Sequence, residues 1–285
     1  MLVTADTRLI YKNSIDEEVE FAVSSPFFPE SVEEDVKNNI NTMKTNATNG
    51  ESFISSKLES RYITISGFIE RSISTLSLKD KLVKTINPTL KGKLIYISEN
   101  ARKEIEVIAE EIPTVKSDKG IIRFTVNLQA CNPFWENAEK AEQLALLTSK
   151  LHFPLFIPKE NGVVFGLKKS LLESDVNNIG DVVSGFRVIF KATGSLKNPQ
   201  IYNKLTGEFI KINYDMEKED VIEIVNYPEY KKVTINGNVN GFKYIDLDTT
   251  FFNLEIGKNI IGYKADENII NLNVSMYYTP RFLGV

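Results

Sequence analysis

Chemistry-bearing side chains are scarce in this 285-residue sequence: it holds one histidine, one cysteine and one tryptophan. His152 lies in Leu151-His152-Phe153-Pro154. A catalytic histidine needs a nucleophile to activate and an acid to orient it, and neither is near it in sequence. Cys131, in Ala130-Cys131-Asn132-Pro133, lacks the cationic neighbour or helix N-terminus that makes a thiol reactive. Carboxylates pair at Glu104/Glu106, Glu110/Glu111 and Asp246/Asp248. Glu104 and Glu106 share one face of a strand, and two carboxylates ~5–9 Å apart across a glycosidic bond could hydrolyse it. The same spacing describes a solvated face opposite Ile105 and Val107, which is the preferred reading. Asp246-Leu247-Asp248 offers oxygens for calcium but no EF-hand-like loop with its central glycine, so a solvated turn is expected. There is no phosphate-cradling glycine loop and no nucleophile elbow. One cysteine and one histidine also exclude an internal disulfide and a multi-cysteine or histidine-based metal cluster. The expectation is a protein without catalysis, cofactor or metal.

The bulk composition is ordinary for a globular protein, with 42% hydrophobic and 25% charged residues. Lys+Arg 34 against Asp+Glu 38 gives a net charge of −4 with no long run of one sign, so no nucleic-acid site is expected. No apolar stretch approaches the ~20 residues that span a bilayer, so no membrane insertion is expected. Residues Met1–Asp6 show no secretion signal, and without one the triplets Asn46-Ala47-Thr48 and Asn273-Val274-Ser275 say nothing about glycosylation.

The elements that would position these groups are strands. In 61–70, Ile63, Ile65 and Ile69 alternate with Tyr62, Thr64, Ser66 and Phe68. In 103–109, Ile105, Val107 and Ala109 oppose Glu104 and Glu106, and in 121–131 Ile122, Phe124, Val126, Leu128 and Ala130 alternate with polar residues. Strands with one wet face argue for antiparallel sheets. One short helix is predicted, capped by Ser77 with Asp80 at the third position, carrying Leu78, Leu82, Val83 and Ile86, and stopped by Pro88. Residues 26–60 open with Pro26-Phe27-Phe28-Pro29 and continue polar, as a long loop or extended arm. Residues 136–150 hold helix formers without glycine or proline and read as a linker. Strands resume with Phe186, Val188, Phe190 and Ala192; Asn236-Gly237 signals a tight hairpin; and Ile270, Leu272, Val274, Met276 and Tyr278 face inward in the last strand.

Two domains follow: 1–140, a mainly β domain with one short helix and an arm at 26–60, and 181–285, an antiparallel β-sandwich, joined by a linker region at 141–180. A sugar-binding sandwich commonly shows an exposed aromatic ring. Trp135 lies before the linker, which leaves tyrosines such as Tyr202, Tyr214, Tyr230 and Tyr244 to serve. A carbohydrate-binding adhesion module recognising host cell-wall polysaccharide is therefore the alternative function, and a glycoside hydrolase using Glu104 or Glu106 a third.

Taken in order, several segments resemble the distal tail protein family of long-tailed bacteriophages that infect Gram-positive bacteria. They are Glu59 to Gly67, Ile86-Asn87-Pro88, Gly92 to Tyr96, Cys131 to Phe134, Gly194 to Ile201, Leu205-Thr206-Gly207, Val233 to Gly237, Leu254 to Asn259 and Met276 to Val285. The resemblance implies an N-terminal split β-barrel or sandwich that forms a hexameric ring, and a C-terminal galectin-like antiparallel sandwich. It also implies partners: the tail tube protein, the tail-associated lysin-like hub protein, and receptor-binding or fibre proteins. The place it implies is the virion tail tip, after synthesis in the host cytoplasm. A contractile tail or a phage-derived tail-like particle would use a similar part. The sequence adds its own reason for a homo-oligomer: Phe27, Phe28, Ile40, Met43, Phe53 and Ile54 are apolar side chains that a lone polar arm could not bury. Phe27, Phe28, Phe53 and Ile54 are the candidate interface residues.

Overall fold

A computed structural model describes residues 6–44, 49–70, 75–99, 101–118, 120–137, 140–143, 145–149, 166–170 and 173–285. The chain divides into two compact units, Met1–Asn137 with Phe282–Val285, and Ala138–Arg281. The fold is mainly β with one α-helix among the described residues, as the alternation predicts.

The first unit is built from β1 (Arg8–Asn13), β2 (Glu18–Phe21), β3 (Phe27–Lys44), β4 (Glu51–Ile69), α1 (Thr75–Thr85), β5 (Lys91–Ile97), β6 (Arg102–Ala109), β7 (Thr114–Asp118), β8 (Ile121–Ala130) and β9 (Trp135–Glu136). Seven of the strands run in the order β6-β5-β1-β2-β3-β4-β8, and β8 pairs back on β6 through Ile108↔Gln129 and Ala109↔Leu128. That pairing closes a barrel and removes its sheet edges. Period-2 alternation makes the closure favourable: Ile63 and Ile65, Ile105 and Val107, and Phe124, Val126 and Leu128 all point into one dry core with Leu9, Tyr11 and Phe21. Each such side chain stabilises the barrel by roughly 1.5–3 kcal/mol relative to exposure.

The helix begins at Thr75, so Ser77 lies inside its first turn and is not its cap. The helix lays Leu78 and Leu82, and Ile86 just after it, against the barrel core. Its C-terminal end is held by Asn13, whose Nδ2 donates to the Thr85 carbonyl at 3.0 Å. The Asn13 Oδ1 meanwhile accepts from the Ile15 and Glu17 amides at 3.1 and 3.0 Å.

Gly67 is required by a close approach. It pairs with Pro29 beside a bulge that skips Glu30, and a Cβ on Gly67 would sit 2.0 Å from the Phe28 carbonyl oxygen. Gly67→Ala is expected to destabilise the barrel by about 1–3 kcal/mol, because the obstacle is backbone and cannot swing away. Equilibrium urea unfolding followed by Trp135 fluorescence checks this, and an unchanged midpoint would refute it.

The second unit contains β10 (Lys140–Gln143), β11 (Ala145–Ser149), β12 (Gly166–Ser170), β13 (Glu173–Asn178), β14 (Phe186–Ala192), β15 (Leu196–Lys197), β16 (Gln200–Asn203), β17 (Phe209–Lys211), β18 (Asp215–Met216), β19 (Val221–Asn226), β20 (Lys231–Ile235), β21 (Val239–Asn240), β22 (Gly257–Lys264) and β23 (Leu272–Tyr278). A six-stranded sheet, β10-β23-β14-β19-β20-β21, and a four-stranded sheet, β13-β22-β16-β17, share one core and form an antiparallel sandwich. The inward residues of β14 and β23 meet as cross-strand pairs: Phe186↔Tyr278, Val188↔Met276, Phe190↔Val274 and Ala192↔Leu272. Such directly opposed apolar pairs lock the register, since a slip of one residue would turn every side chain to solvent.

Two expectations differ from this arrangement. Ile270 is exposed, in a single 3₁₀ turn (Ile269–Asn271) just before β23, where i→i+3 bonding breaks the strand period. Residues 141–180, expected as a linker, are strand over most of their described length; β10 pairs with β23 and β13 with β22. β13 reads as polar because it is an edge strand in which Val176 and Asn178 are the buried positions, and Asn178 donates to the Val182 carbonyl at 3.0 Å. Asn236 and Gly237 do take positive φ, 52° and 77°, and turn the chain from β20 to β21.

Candidate functional site

Residues 26–60, expected as a loop or extended arm, are strand for most of their length. β3 and β4 pair from Phe27↔Ile69 to Lys44↔Glu51 as one long antiparallel hairpin. Its base is part of the barrel wall. Its outer part, 37–44 with 51–57, is exposed at every residue, so both faces of that ribbon meet solvent. At ~3.3 Å per residue the outer part is roughly 25 Å long. An isolated two-stranded ribbon is marginal in water, and this one carries Ile40, Met43, Phe53 and Ile54 in the open. The register pairs Ile40 with Ser56 and Thr42 with Phe53, leaving Ile54 as the bulged residue between them. Bulges twist a ribbon and re-aim its side chains.

The four candidate interface residues separate. Phe53 and Ile54 are 66% and 60% exposed, and Phe28 is 40% exposed. Phe28 is also half of a surface stack: its ring lies 6.5 Å from Phe68, over which the Arg123 guanidinium sits at 4.5 Å. Phe27 is not a surface residue. It is 2% exposed and packs edge-on against Phe21 and Phe124, both at 6.2 Å. Neighbours in a strand point to opposite sides, so one of Phe27 and Phe28 had to be core.

Of the groups weighed for catalysis, Glu104, Glu106 and Cys131 line one open hollow of about 720 Å³ on the first unit, whereas Asp246 and Asp248 belong to the second unit. Glu104 is ion-paired with Lys93 at 2.8 Å, and that bond raises the Lys93 pKa above its ordinary value. Glu111 accepts from Asn127 at 2.9 Å. Cys131 is an exposed free thiol, and His152 lies outside the described residues. Trp135 is buried and donates to Glu34 at 3.1 Å. Asp246 and Asp248 form a tight turn in which Asp246 Oδ1 accepts from the Asp248 amide at 3.0 Å. Asn213 donates to the other Asp246 oxygen and, with the turn amide, draws the carboxyl below its usual pKa. Among the described residues no group of three His, Cys, Asp or Glu is placed to hold a metal ion, and no helix is long and apolar enough to cross a membrane.

The buried polar centre of the first unit was not signalled by the sequence. Arg61, almost fully enclosed, donates from Nε to the Pro133 carbonyl at 2.7 Å and from Nη2 to the Leu283 carbonyl at 2.5 Å. Its Nη1 binds the carboxylate of Glu34, the same group that Trp135 meets. The guanidinium thereby fastens β3, β4, the Pro133–Trp135 segment and the last residues of the chain around one point.

The first unit is a closed barrel carrying an exposed ribbon, and the second is an antiparallel sandwich. Two protein families match these parts: the phage tail protein RIFT-related domain over residues 17–130, and the siphovirus-type tail component, C-terminal domain, over residues 179–282. The class is thus a phage tail component. More closely, the chain belongs to the siphovirus distal tail protein family. Among solved structures it is similar to the Dit protein (gp 19.1) of phage SPP1, described as a paradigm of the hub adsorption apparatus in phages infecting Gram-positive bacteria. That likeness has a TM-score of 0.67 at 10% identity and covers 96% of this chain and 99% of that one. A chain in the baseplate of phage P2, in its activated conformation with Ca, aligns with a TM-score of 0.43 at 11% identity, over 98% of this chain and 99% of that one. No curated protein matches the chain by sequence. The protein is a structural component of a phage tail or baseplate.

Proposed function

We propose that the chain is the ring-forming hub of a phage tail tip. The first unit closes a homohexameric ring, and the second carries receptor-binding or fibre proteins. On this reading the ring joins the tail tube protein on one side to the tail-associated lysin-like hub protein on the other, and its place is the tail tip of the virion. The observation that supports this best is the ribbon of β3 and β4, which exposes Phe53 and Ile54 on a two-stranded element too thin to cover them itself. A head-to-tail contact repeated around a closed ring covers such side chains on every copy alike. The chain does no chemistry on this reading, in keeping with Glu104 being engaged by Lys93 on an open barrel wall. Light scattering of the purified protein is expected to give about 194 kDa for six copies of a 32.3 kDa chain. A protein that stays at the mass of one chain at high concentration would count against the ring.

A further inference from the structure

The outer face of the four-stranded sheet in the second unit is hollowed into an open cleft of about 550 Å³. Its floor is aromatic. Tyr202 on β16 and Phe209 on β17 are direct cross-strand partners, and both side chains are half-exposed on that face. The residue opposite Tyr202 on β22 is Gly262, where a Cβ would lie 2.2 Å from Tyr202 Cζ, so the ring lies down across bare backbone. A side chain at 262 would prop the ring up and fill the hollow. The exposed Lys264 side chain lays its ammonium over the Tyr202 ring, 4.6 Å from the centroid, and Gln200, Asp246 and Asp248 form the rim.

We propose that this cleft binds a neutral oligosaccharide, with one pyranose ring taking the place of the exposed Lys264 ammonium over the Tyr202–Phe209 floor. The aromatic faces offer an apolar platform for the C–H side of a sugar ring. Amide, ammonium and carboxylate groups around it match hydroxyls, each of which both donates and accepts. None of the described side chains that line the cleft is aliphatic, which disfavours a protein partner, whose buried contact core is rich in apolar residues. The charge balance disfavours a phosphate or uronate ligand. Lys204 is held by Glu173 at 2.7 Å and Lys211 by Asp266 at 2.9 Å, and both lysines therefore face carboxylates of their own sheet surface. The third lysine of the lining, Lys264, is set against Asp246 and Asp248 at the rim.

The test is the full-length chain on an array of neutral hexose and N-acetylhexosamine oligosaccharides, with phosphorylated and uronic-acid glycans as the anionic arm. Calorimetric titration with the free form of any glycan that binds then follows. Retention on at least one neutral glycan is expected. Tyr202→Ala should weaken it at least about tenfold, which corresponds to the loss of one good ring contact, while Tyr202→Phe retains it. Asp248→Ala, an exposed change that leaves thermal unfolding unaltered, should weaken it several-fold. No binding to any neutral glycan, binding to the anionic arm alone, or binding that Tyr202→Ala and Asp248→Ala both leave unchanged would overturn the proposal. The ring reading is separate, since a hexamer that binds no glycan fails only here.

Discussion

The double variant Phe53→Ser, Ile54→Ser is expected to run as a 32.3 kDa monomer in light scattering while its circular dichroism and melting temperature stay those of the parent. Both side chains sit on the outer ribbon, 66% and 60% exposed, and make no contribution to either hydrophobic core. Surface changes of this kind usually move stability by no more than ~0.5 kcal/mol. In a ring they would instead be covered by a neighbour, and burying two large apolar side chains contributes roughly 3–6 kcal/mol per interface. Losing that amount weakens each contact by about two to four powers of ten. Every interface around a cyclic ring is the same, so all would fail together. Phe27→Ser is the control in the opposite sense. Its ring is wedged between Phe21 and Phe124 in the barrel, and its removal should cost about 3–5 kcal/mol and unfold much of the first unit. A double variant that keeps the parent's oligomeric mass would remove the ribbon from the assembly surface.

Arg61→Ala is expected to destabilise the first unit by about 3–5 kcal/mol, the usual cost of leaving one member of a buried ion pair behind. The cost comes from what stays after the guanidinium is gone. The Glu34 side chain is 14% exposed and would retain the Trp135 indole as its hydrogen-bond donor, too little to solvate an anion. The Pro133 and Leu283 carbonyls would lose a charged donor each. The loss is a large share of the 5–15 kcal/mol by which a domain is ordinarily stable. Trp135 is the only tryptophan and touches Glu34 itself, so its fluorescence in urea reports this unit alone. The paired change Arg61→Met, Glu34→Leu should recover part of the loss, because an apolar pair leaves no orphaned charge. An Arg61→Ala protein within about 1 kcal/mol of the parent would show that the network is solvated.

A sugar-binding sandwich would give such a tail part a direct contact with a cell surface. A shallow aromatic cleft with hydrogen-bonding walls holds one sugar weakly. Repetition around a ring would multiply weak contacts into a firm one, provided the geometry lets several engage together. The cleft and the ribbon lie in different units, so assembly and glycan binding can be abolished separately by Phe53/Ile54 and Tyr202 changes.

Local alternation determined most of the secondary structure. Ile63/Ile65, Ile105/Val107, Phe124/Val126/Leu128 and Phe186/Val188/Phe190 all face inward as their period-2 spacing dictates, because a strand offers one side of each residue pair to the core. Composition limits what chemistry could be arranged, since the sequence holds one histidine and one cysteine. The residues 26–60 were harder. Their outer part has no buried face, so alternation has nothing to report, and the strand is held by backbone pairing that leaves no mark in side-chain pattern. Which of Phe27 and Phe28 is buried depended on the bulge and register that β4 imposes on β3. Three features belong to tertiary structure alone: closure of the barrel through β6 and β8, convergence of Glu34, Arg61, Pro133 and Leu283 on one guanidinium, and the placing of Tyr202, Phe209 and Gly262 side by side. Each joins residues far apart in the chain through pairing register, and register is set by how whole strands pack, a property no local stretch of sequence contains.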